Sequence, residues 1–268
     1  MPELPEVETV KTVLKNRIQG LMIRDIDVHY ERMMDEDTRS ALIGQTILDI
    51  TRFGKYICFM LTDVILISHL RMEGRYFFKT EDEPLLKHEH IVFHLSDGLS
   101  LRYHDTRKFG TFDLRTYQNY LSTKPLNQLG KEPFDIDPKA FYEALKKKHI
   151  SIKTALLDQT LIAGIGNIYA DEILARVSII PHRYTDEITL KEAKEIVFAG
   201  IDILNAAIAS GGTTIRTYVS QLGVSGRFQL KLKVHQREAE PCDTCGRPIV
   251  RTVINGRSSF YCTKCQKR

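Results

Sequence analysis

The stretch that decides how the end of this chain folds reads Cys242-Asp-Thr-Cys245, then sixteen residues, then Cys262-Thr-Lys-Cys265. Each CxxC pair places two thiolates on one tight turn, and two such turns can close a tetrahedral site of four sulfurs. A closed site leaves no open position for water, so the spacing predicts one structural Zn²⁺ rather than a catalytic metal. Two disulfides or free thiols are the alternative interpretation.

A β-hairpin is expected between the two cysteine pairs. Two β-rich runs, Ile249–Ile254 and Ser259–Tyr261, flank Asn255-Gly256, a dipeptide typical of two-residue hairpin turns. Arg257 then stands at the tip of the hairpin, where it could meet a DNA phosphate. A solvated turn arginine is the alternative interpretation.

The positive charge of the chain is concentrated at this same end. The 268 residues carry a net charge of +4, yet Arg227–Arg268 alone has ten Lys and Arg against three Asp and Glu. The rest of the chain is slightly acidic, so the asymmetry points to an anionic partner, with nucleic acid the leading candidate. No apolar run approaches the ~20 residues of a membrane span, and Met1–Glu6 lacks the pattern of a signal peptide. We therefore expect a cytoplasmic protein with no membrane partner.

The N-terminal part of the chain is rich in short β-type runs. A helix starting near Pro5 is followed by Tyr56–Leu61, Val64–His69, Ile91–Leu95 and Leu99–His104, with turn signals between them. Closely spaced strands of this kind predict an antiparallel β-sandwich.

The pattern after residue 137 is helical, and helix-capping residues mark where the helices begin. The predicted caps are Asp137 before Pro138, Ser151 before Ile152–Asp158, Asn167 before Ile168–Val177, and Thr189 with Glu192 as a capping box. The fold class is therefore α+β and multidomain. The predicted domains are an N-terminal β-sandwich over residues 1–115, a linker over 116–136, a helical domain over 137–231 and a zinc finger over 232–268.

The N-terminus offers an unusual nucleophile. Removal of Met1 would leave Pro2 with a free secondary α-amine, and such amines titrate near 7.7–8.0, against about 10.4 for lysine. The uncharged amine can attack a sugar aldehyde carbon. The resulting iminium has no N–H to lose, so its charge persists as an electron sink for elimination. The alternative is that proline after methionine is simply a common, processed sequence.

Strand-connecting turns combine cations with bulky apolar side chains. They include His69-Leu-Arg-Met-Glu-Gly74 and Asp105-Thr-Arg-Lys-Phe-Gly110. Met72 and Phe109 could enter a base stack and hold a gap open. The alternative is that both belong to the hydrophobic core.

A glycine-containing turn, Gln159-Thr-Leu-Ile-Ala-Gly-Ile-Gly-Asn167, lies between two predicted helices. Such helical hairpins occur in DNA-binding proteins, and backbone N–H groups at the second helix start would bind a phosphate. Lys148 and Lys153 could add positive charge. A helix connection that needs glycine only for its backbone is the alternative.

The order and combination of these motifs resemble the formamidopyrimidine-DNA glycosylase family over nearly the whole chain. The motifs that carry the resemblance are Pro2–Glu8, the Gly54-Lys55-Tyr56 turn, His69–Gly74, Asp105–Gly110, Ala163–Glu172, Gly211–Tyr218 and the four-cysteine finger.

The resemblance implies a β-sandwich, a helix–two-turn–helix domain and a β-hairpin zinc finger, with damaged double-stranded DNA between domains. It implies a base excision repair enzyme, at once a DNA-formamidopyrimidine glycosylase and a lyase for apurinic or apyrimidinic sites. Such an enzyme excises 8-oxoguanine and formamidopyrimidines and cuts the abasic strand by β,δ-elimination. We expect a monomer in the bacterial cytoplasm, associated with the nucleoid through DNA.

The resemblance also implies roles residue by residue. Pro2 matches the Schiff-base nucleophile, Glu3 the acid/base residue, Lys55 the β-elimination lysine and Arg257 the δ-elimination arginine. Met72, Arg107 and Phe109 match the trio that fills the gap left by the flipped base. The implied DNA-binding residues are Glu6, Met72, His88, Arg107, Phe109, Lys148, Lys153 and Asn167, and Thr213–Phe228 aligns with a loop that covers the extruded base.

Two other functions fit parts of the pattern. The endonuclease VIII branch resembles this architecture but prefers oxidised pyrimidines, and it typically has Gly where this chain has Leu4. A non-catalytic, zinc-dependent DNA-binding protein would bind DNA without cutting it.

Overall fold

The computed structural model describes residues 1–213 and 228–267, which form two compact units. The first unit comprises Met1–Asn127 with Thr213, and the second comprises Gln128–Gly212 with residues 228–267. The segment aligned with the base-covering loop, Thr213–Phe228, lies outside the described residues except for its two ends. Of the described helices, none combines the length and apolar character that a membrane crossing requires.

The first unit is the predicted β-sandwich, built from two four-stranded antiparallel sheets. Its elements are α1 Leu4–Ile18, β1 Ile23–Val28, α2 Glu36–Leu42, β2 Ile47–Phe53, β3 Tyr56–Leu61, β4 Val64–His69, β5 Arg75–Thr80, β6 Glu89–Leu95, β7 Leu99–His104 and β8 Thr111–Thr116. One sheet has the strand order β1-β6-β7-β5 and the other β2-β3-β4-β8. The four strands quoted from the sequence are confirmed, with β6 starting two residues earlier than predicted.

The core of the first unit lies between the sheets and under α1. The helix packs against β2 and β3, so β3 is covered on both faces and its sequence is an almost continuous apolar run. The predicted helix face is confirmed, because Val7, Val10 and Leu14 are at most 2% exposed.

The second unit is helical and ends in the predicted hairpin. Its elements are α3 Pro138–Lys146, α4 Ile152–Leu157, α5 Asn167–Arg176, α6 Leu190–Ala209, β9 Val250–Ile254 and β10 Arg257–Tyr261. Short 3₁₀ turns occur in the two units at Leu126–Gln128, Thr185–Glu187 and Phe228–Lys231. The caps Asp137, Ser151 and Thr189 each accept a hydrogen bond from a backbone N–H in the first helical turn, as predicted.

The predicted cap at Asn167 is wrong. Gly166 occupies the N-cap position of α5, and Asn167 is the first helical residue. The Nδ2 group of Asn167 donates to the carbonyl oxygen of Ser258 at 3.0 Å. Strand β10 packs against α5, so a partner 91 residues away takes the side chain that the local pattern assigned to the cap.

Candidate active site and zinc centre

Strand pairing gathers the turns of the first unit at one end of the sandwich. In one sheet Phe53 pairs with Tyr56, Tyr56 with His69, and His69 with Thr111. In the other sheet His104 pairs with both Arg75 and Glu89. The predicted site residues in the connecting turns therefore lie at this end: Lys55, Met72, His88, Arg107 and Phe109.

The N-terminal residues form a buried acidic cluster. Pro2 is buried, Glu3 is 2% exposed and Glu6 is 6% exposed, whereas Met1 is 40% exposed. Lys55 is 5% exposed and lies in the two-residue turn between β2 and β3. A site that buries two carboxylates and an ammonium excludes water and strengthens the electrostatic interactions inside it.

Electrostatics at this end of the chain favour an uncharged amine. Burial lowers the pKa of the Met1 α-amine below its ordinary value, although the carboxylates of Glu3, Glu6 and Glu73 oppose the shift. The charge of Lys55 acts in the same direction as burial. The Met1 α-amine is therefore easier to deprotonate than an α-amine in water.

Glu6 joins two distant parts of the sequence. Its Oε2 accepts the backbone N–H of Glu3 at 2.9 Å. Its Oε1 accepts the backbone N–H and the hydroxyl of Thr213 at 2.8 and 2.9 Å. The predicted DNA-binding role of Glu6 stays a prediction; the contacts observed are with the protein backbone and with Thr213.

His69 is a site residue whose role sequence reasoning missed. Burial lowers its pKa to about 3, and the charges of Arg71 and Lys55 add to the shift, so the ring is neutral at physiological pH. Its Nδ1 accepts the backbone N–H of Arg71 at 2.8 Å. The ring therefore fixes the start of the turn that carries Met72, which is half-buried.

The turn after β7 presents a cation and an aromatic ring to solvent. Phe109 is 52% exposed, and the Arg107 guanidinium carbon lies 4.7 Å from the centre of its ring. The backbone N–H of Asp105 donates to the carbonyl oxygen of His88 at 3.0 Å. His88, Arg107 and Phe109 therefore belong to one connected surface, with Phe109 outside the core.

Two glycines allow these turns to approach the same buried ring. A Cβ at Gly110 would lie 1.8 Å from the Tyr103 hydroxyl oxygen, and one at Gly74 would lie 2.0 Å from it. Gly74 ends the Met72 turn and Gly110 ends the Phe109 turn. Tyr103 thus packs beneath both turns, and neither position has room for a side chain.

Gly110→Ala should lower the free energy of unfolding by about 1–3 kcal/mol, the usual range for overpacking a core. Thermal unfolding followed by circular dichroism measures this change. Gly200→Ala is the matched control. Gly200 lies inside α6, and its new Cβ would be 3.5 Å from the Ile173 side chain of α5, an ordinary contact. Glycine-to-alanine replacement in a helix is usually stabilising. A melting temperature for Gly110→Ala at or above that of the wild type would contradict this packing.

The four cysteines of the second unit converge as the spacing predicts. Their sulfur atoms all lie within 4.8 Å of one another, with 3.8 Å between Cys242 and Cys265 and 3.5 Å between Cys245 and Cys262. Tetrahedral zinc with Zn–S bonds of about 2.3 Å separates its sulfurs by about 3.8 Å. The donor set therefore fits one structural Zn²⁺, and four protein sulfurs would leave no position open for a substrate.

The hairpin tip is confirmed in detail. Asn255 and Gly256 have φ angles of 46° and 71°, the two positive values that a type I′ turn requires. Arg257 follows as an exposed residue at the start of β10. Gln266 links the second cysteine pair to the segment after α5, because its side chain accepts the N–H of Cys262 and donates to the carbonyl of Ile179.

A buried ion-pair network holds the start of α5. Lys153 has no exposed surface, its ammonium pairs with Asp171, and it also donates to the carbonyl oxygen of Asn167 at 3.3 Å. The other carboxylate oxygen of Asp171 lies 2.7 Å from His235 Nδ1. The predicted contact of Lys153 with DNA stays a prediction; Lys148 is more accessible and lies 3.3 Å from Asp158.

Glu172 is a second residue that sequence reasoning did not single out. Its carboxylate accepts the backbone N–H groups of Lys233, Val234 and His235 at 2.8–3.0 Å. Asp171 and Glu172 thus anchor the segment that leads into the zinc finger. The sequence placed both residues at the end of the Ala163–Glu172 motif but gave no sign of their partners.

These features define a class: a multidomain protein with a buried N-terminal acidic site, a helical domain and a four-cysteine finger. Sequence models match three segments, described as the formamidopyrimidine-DNA glycosylase N-terminal domain over residues 1–112, its H2TH domain over 129–219, and a zinc finger found in FPG and IleRS over 239–268. The chain belongs to the formamidopyrimidine-DNA glycosylase family.

Relatives match along their full length. The formamidopyrimidine-DNA glycosylase of Bacillus licheniformis is 46% identical over 275 residues, covering 100% of both chains. That of Oceanobacillus iheyensis is 42% identical, covering 99% of this chain and 98% of its own. A solved structure of a Lactococcus lactis FPG mutant with DNA containing Fapy-dG is 41% identical, covers 100% of both chains and gives a TM-score of 0.95. Another shows the Lactococcus lactis protein with DNA containing an abasic site.

Proposed function

We propose that this chain excises oxidised purines, 8-oxoguanine and formamidopyrimidines, from double-stranded DNA and then cleaves the abasic strand. The observation that carries the proposal is the N-terminal cluster. It buries Pro2, Glu3 and Lys55, and burial there lowers the pKa of the Met1 α-amine. Full-length relatives named as formamidopyrimidine-DNA glycosylases support the same reaction.

The first step uses the Pro2 nitrogen as nucleophile once Met1 has been removed. Its lone pair forms a bond to C1′ of the damaged nucleotide, and the bond between C1′ and the base breaks with its electron pair leaving on the base. The departing base takes up a proton, and Glu3 serves as the acid/base residue for proton transfers as the sugar ring opens. The N–H proton of Pro2 passes to the departing base, and Glu3 donates a proton to O4′ as the C1′–O4′ bond breaks. The nitrogen lone pair then completes a covalent iminium between Pro2 and the opened sugar.

The second stage removes the sugar from the strand. The iminium acidifies the neighbouring C2′ proton, and loss of that proton expels the 3′ phosphate. A further elimination expels the 5′ phosphate, so the strand is left with a one-nucleotide gap. We assign Lys55 to the first elimination and Arg257 to the second, each as a cation beside a phosphate.

Zinc contributes to this reaction through structure. When bound by Cys242, Cys245, Cys262 and Cys265, the ion braces the turns from which the hairpin projects. The protein groups then present Arg257 on a rigid two-stranded element rather than on a loose tail. Met72, Arg107 and Phe109 occupy the space of the extruded base, which offsets part of the few kcal/mol that unstacking costs.

We propose a monomer in the bacterial cytoplasm, associated with the nucleoid through DNA. His88, Lys148, Lys153, Asn167 and Glu6 complete the DNA-binding set. We retain residues 1–115, 116–136, 137–231 and 232–268 as the proposed catalytic domain, linker, helical domain and zinc finger.

Covalent trapping tests the proposed function directly. The Met1-processed protein is incubated with borohydride and one of three duplexes. The first carries 8-oxoguanine opposite cytosine, the second carries thymine glycol, and the third carries no lesion. We expect a trapped complex on the first duplex, because borohydride reduces the iminium to a stable amine. Faster trapping on thymine glycol would indicate the endonuclease VIII-like activity. DNA binding without trapping on either lesion would indicate a non-catalytic DNA-binding protein.

A further inference from the structure

We propose that Asp105 is a positioning residue, which holds Arg107 and Phe109 in the orientation that replaces the extruded base; this rests on the function proposed above. Its side chain organises the whole turn between β7 and β8. Asp105 itself has no exposed surface, so it cannot touch DNA.

The carboxylate of Asp105 accepts three backbone N–H groups from its own turn. Oδ1 accepts the N–H of Arg107 at 2.9 Å. Oδ2 accepts the N–H of Phe109 at 2.9 Å and that of Gly110 at 2.8 Å. A carboxylate oxygen has two lone pairs and no hydrogen, so an ionised aspartate suits a turn that points its donors inward.

The backbone of Asp105 is itself held from both sides. Its N–H donates to the carbonyl oxygen of His88, and its own carbonyl accepts from Nε2 of the buried His90 at 2.9 Å. Lys108 adopts a left-handed conformation with φ 57°, which is strained for a residue with a side chain. Its ammonium lies 4.3 Å from the centre of the Tyr30 ring. The turn is thus fixed in one shape.

This fixed shape holds the exposed Phe109 ring in one orientation before DNA binds. Phe109 is 52% exposed and stacks with the Arg107 guanidinium, while Asp105 bonds the N–H groups of both residues. A turn held in one conformation before binding loses less entropy when the ring enters a base stack. Without the carboxylate the side chains remain, but the backbone that aims them becomes free to move.

Asp105→Asn tests the proposal with two substrates. The amide keeps the size of the side chain, but it replaces one acceptor oxygen by an NH₂ group that opposes backbone N–H donors. One substrate is duplex DNA with 8-oxoguanine opposite cytosine, and the other is single-stranded DNA with an abasic site. A single strand has no opposite strand and no base stack with a gap to fill. Its cleavage therefore does not need Arg107 and Phe109 in the gap-filling orientation. We expect kcat/KM on the duplex to fall about tenfold to a hundredfold, the scale of a misplaced binding group, with single-strand cleavage unchanged.

A double-mutant cycle and a matched control complete the experiment. Phe109→Ala should lower duplex cleavage, and adding Asp105→Asn to it should cause little further loss, because the two act as one unit. Asp97→Asn is the control. Asp97 accepts the N–H of Leu99 at 3.1 Å in the turn at the other end of β7, and both activities should be unchanged.

Three results would overturn the role of Asp105: unchanged duplex cleavage in Asp105→Asn, an equal loss on both substrates, or additive losses in the double variant. Failure of the wild-type protein to cleave either substrate would instead overturn the proposed function.

Discussion

Replacing Pro2 with glycine should reduce borohydride trapping on 8-oxoguanine duplexes about a hundredfold, the scale expected when a reacting group is no longer held in place. Glycine supplies a primary amine, whose imine can lose its N–H proton and with it the positive charge that drives elimination. It also lacks the ring that fixes the nitrogen in the buried site. Denaturing gel electrophoresis of labelled DNA after reduction measures the covalent complex.

Two companion proteins make this test specific. A protein that retains Met1 should give no covalent complex, because its Pro2 nitrogen is then an amide. Pro5→Ala changes another proline at the start of α1 and should trap DNA like the wild type. Full trapping by Pro2→Gly would contradict the need for the proline ring in forming the Schiff base.

Cys262→Ser should abolish stoichiometric zinc binding and weaken DNA binding about tenfold or more, which corresponds to about 1.4 kcal/mol. Three sulfurs and a hydroxyl no longer satisfy a closed thiolate site, and structural zinc supplies on the order of 10 kcal/mol to the folding of small fingers. The hairpin that presents Arg257 then loses its brace. Metal content by mass spectrometry and DNA affinity by fluorescence anisotropy at one fixed salt concentration measure the two effects.

Cys58 provides the matched control for this prediction. It is the fifth cysteine, fully buried in β3, and it lies outside the four-sulfur cluster. Cys58→Ala should therefore keep its zinc and its DNA affinity. Unchanged DNA binding by a zinc-free Cys262→Ser protein would contradict a role for the finger in binding DNA.

The features that sequence predicted well are those governed by neighbouring residues. Asn255-Gly256 predicted the type I′ turn because few other dipeptides accept positive φ at both positions. Asp137, Ser151 and Thr189 predicted helix starts because a capping side chain bonds a backbone N–H only two or three residues away. The CxxC spacing predicted the metal donors because each pair is local, although the meeting of the two pairs needed the hairpin between them.

The resemblance to a known family predicted functional roles for residues whose local sequence predicts none. Nothing in the pattern around Pro2 distinguishes a nucleophile from an ordinary processed terminus, and nothing around Phe109 distinguishes a wedge from a core residue. The structure excludes a core position for Phe109, because it exposes the ring, and the role of Phe109 in filling the gap stays a prediction. It also shows that Lys153, expected to add positive charge for DNA binding, is buried against Asp171.

Sequence by itself thus determined the fold class, four strands of the sandwich, three of the helix caps, the hairpin turn and the identity of the metal donors. Only the tertiary structure decided which polar groups hold the site together. Glu6 meets Thr213 across 207 residues, Asn167 leaves its predicted cap for Ser258, and the Asp105 carboxylate gathers the donors of its turn. The physical reason is that a buried polar group needs a hydrogen-bond partner, and folding often supplies one that is far away in the sequence.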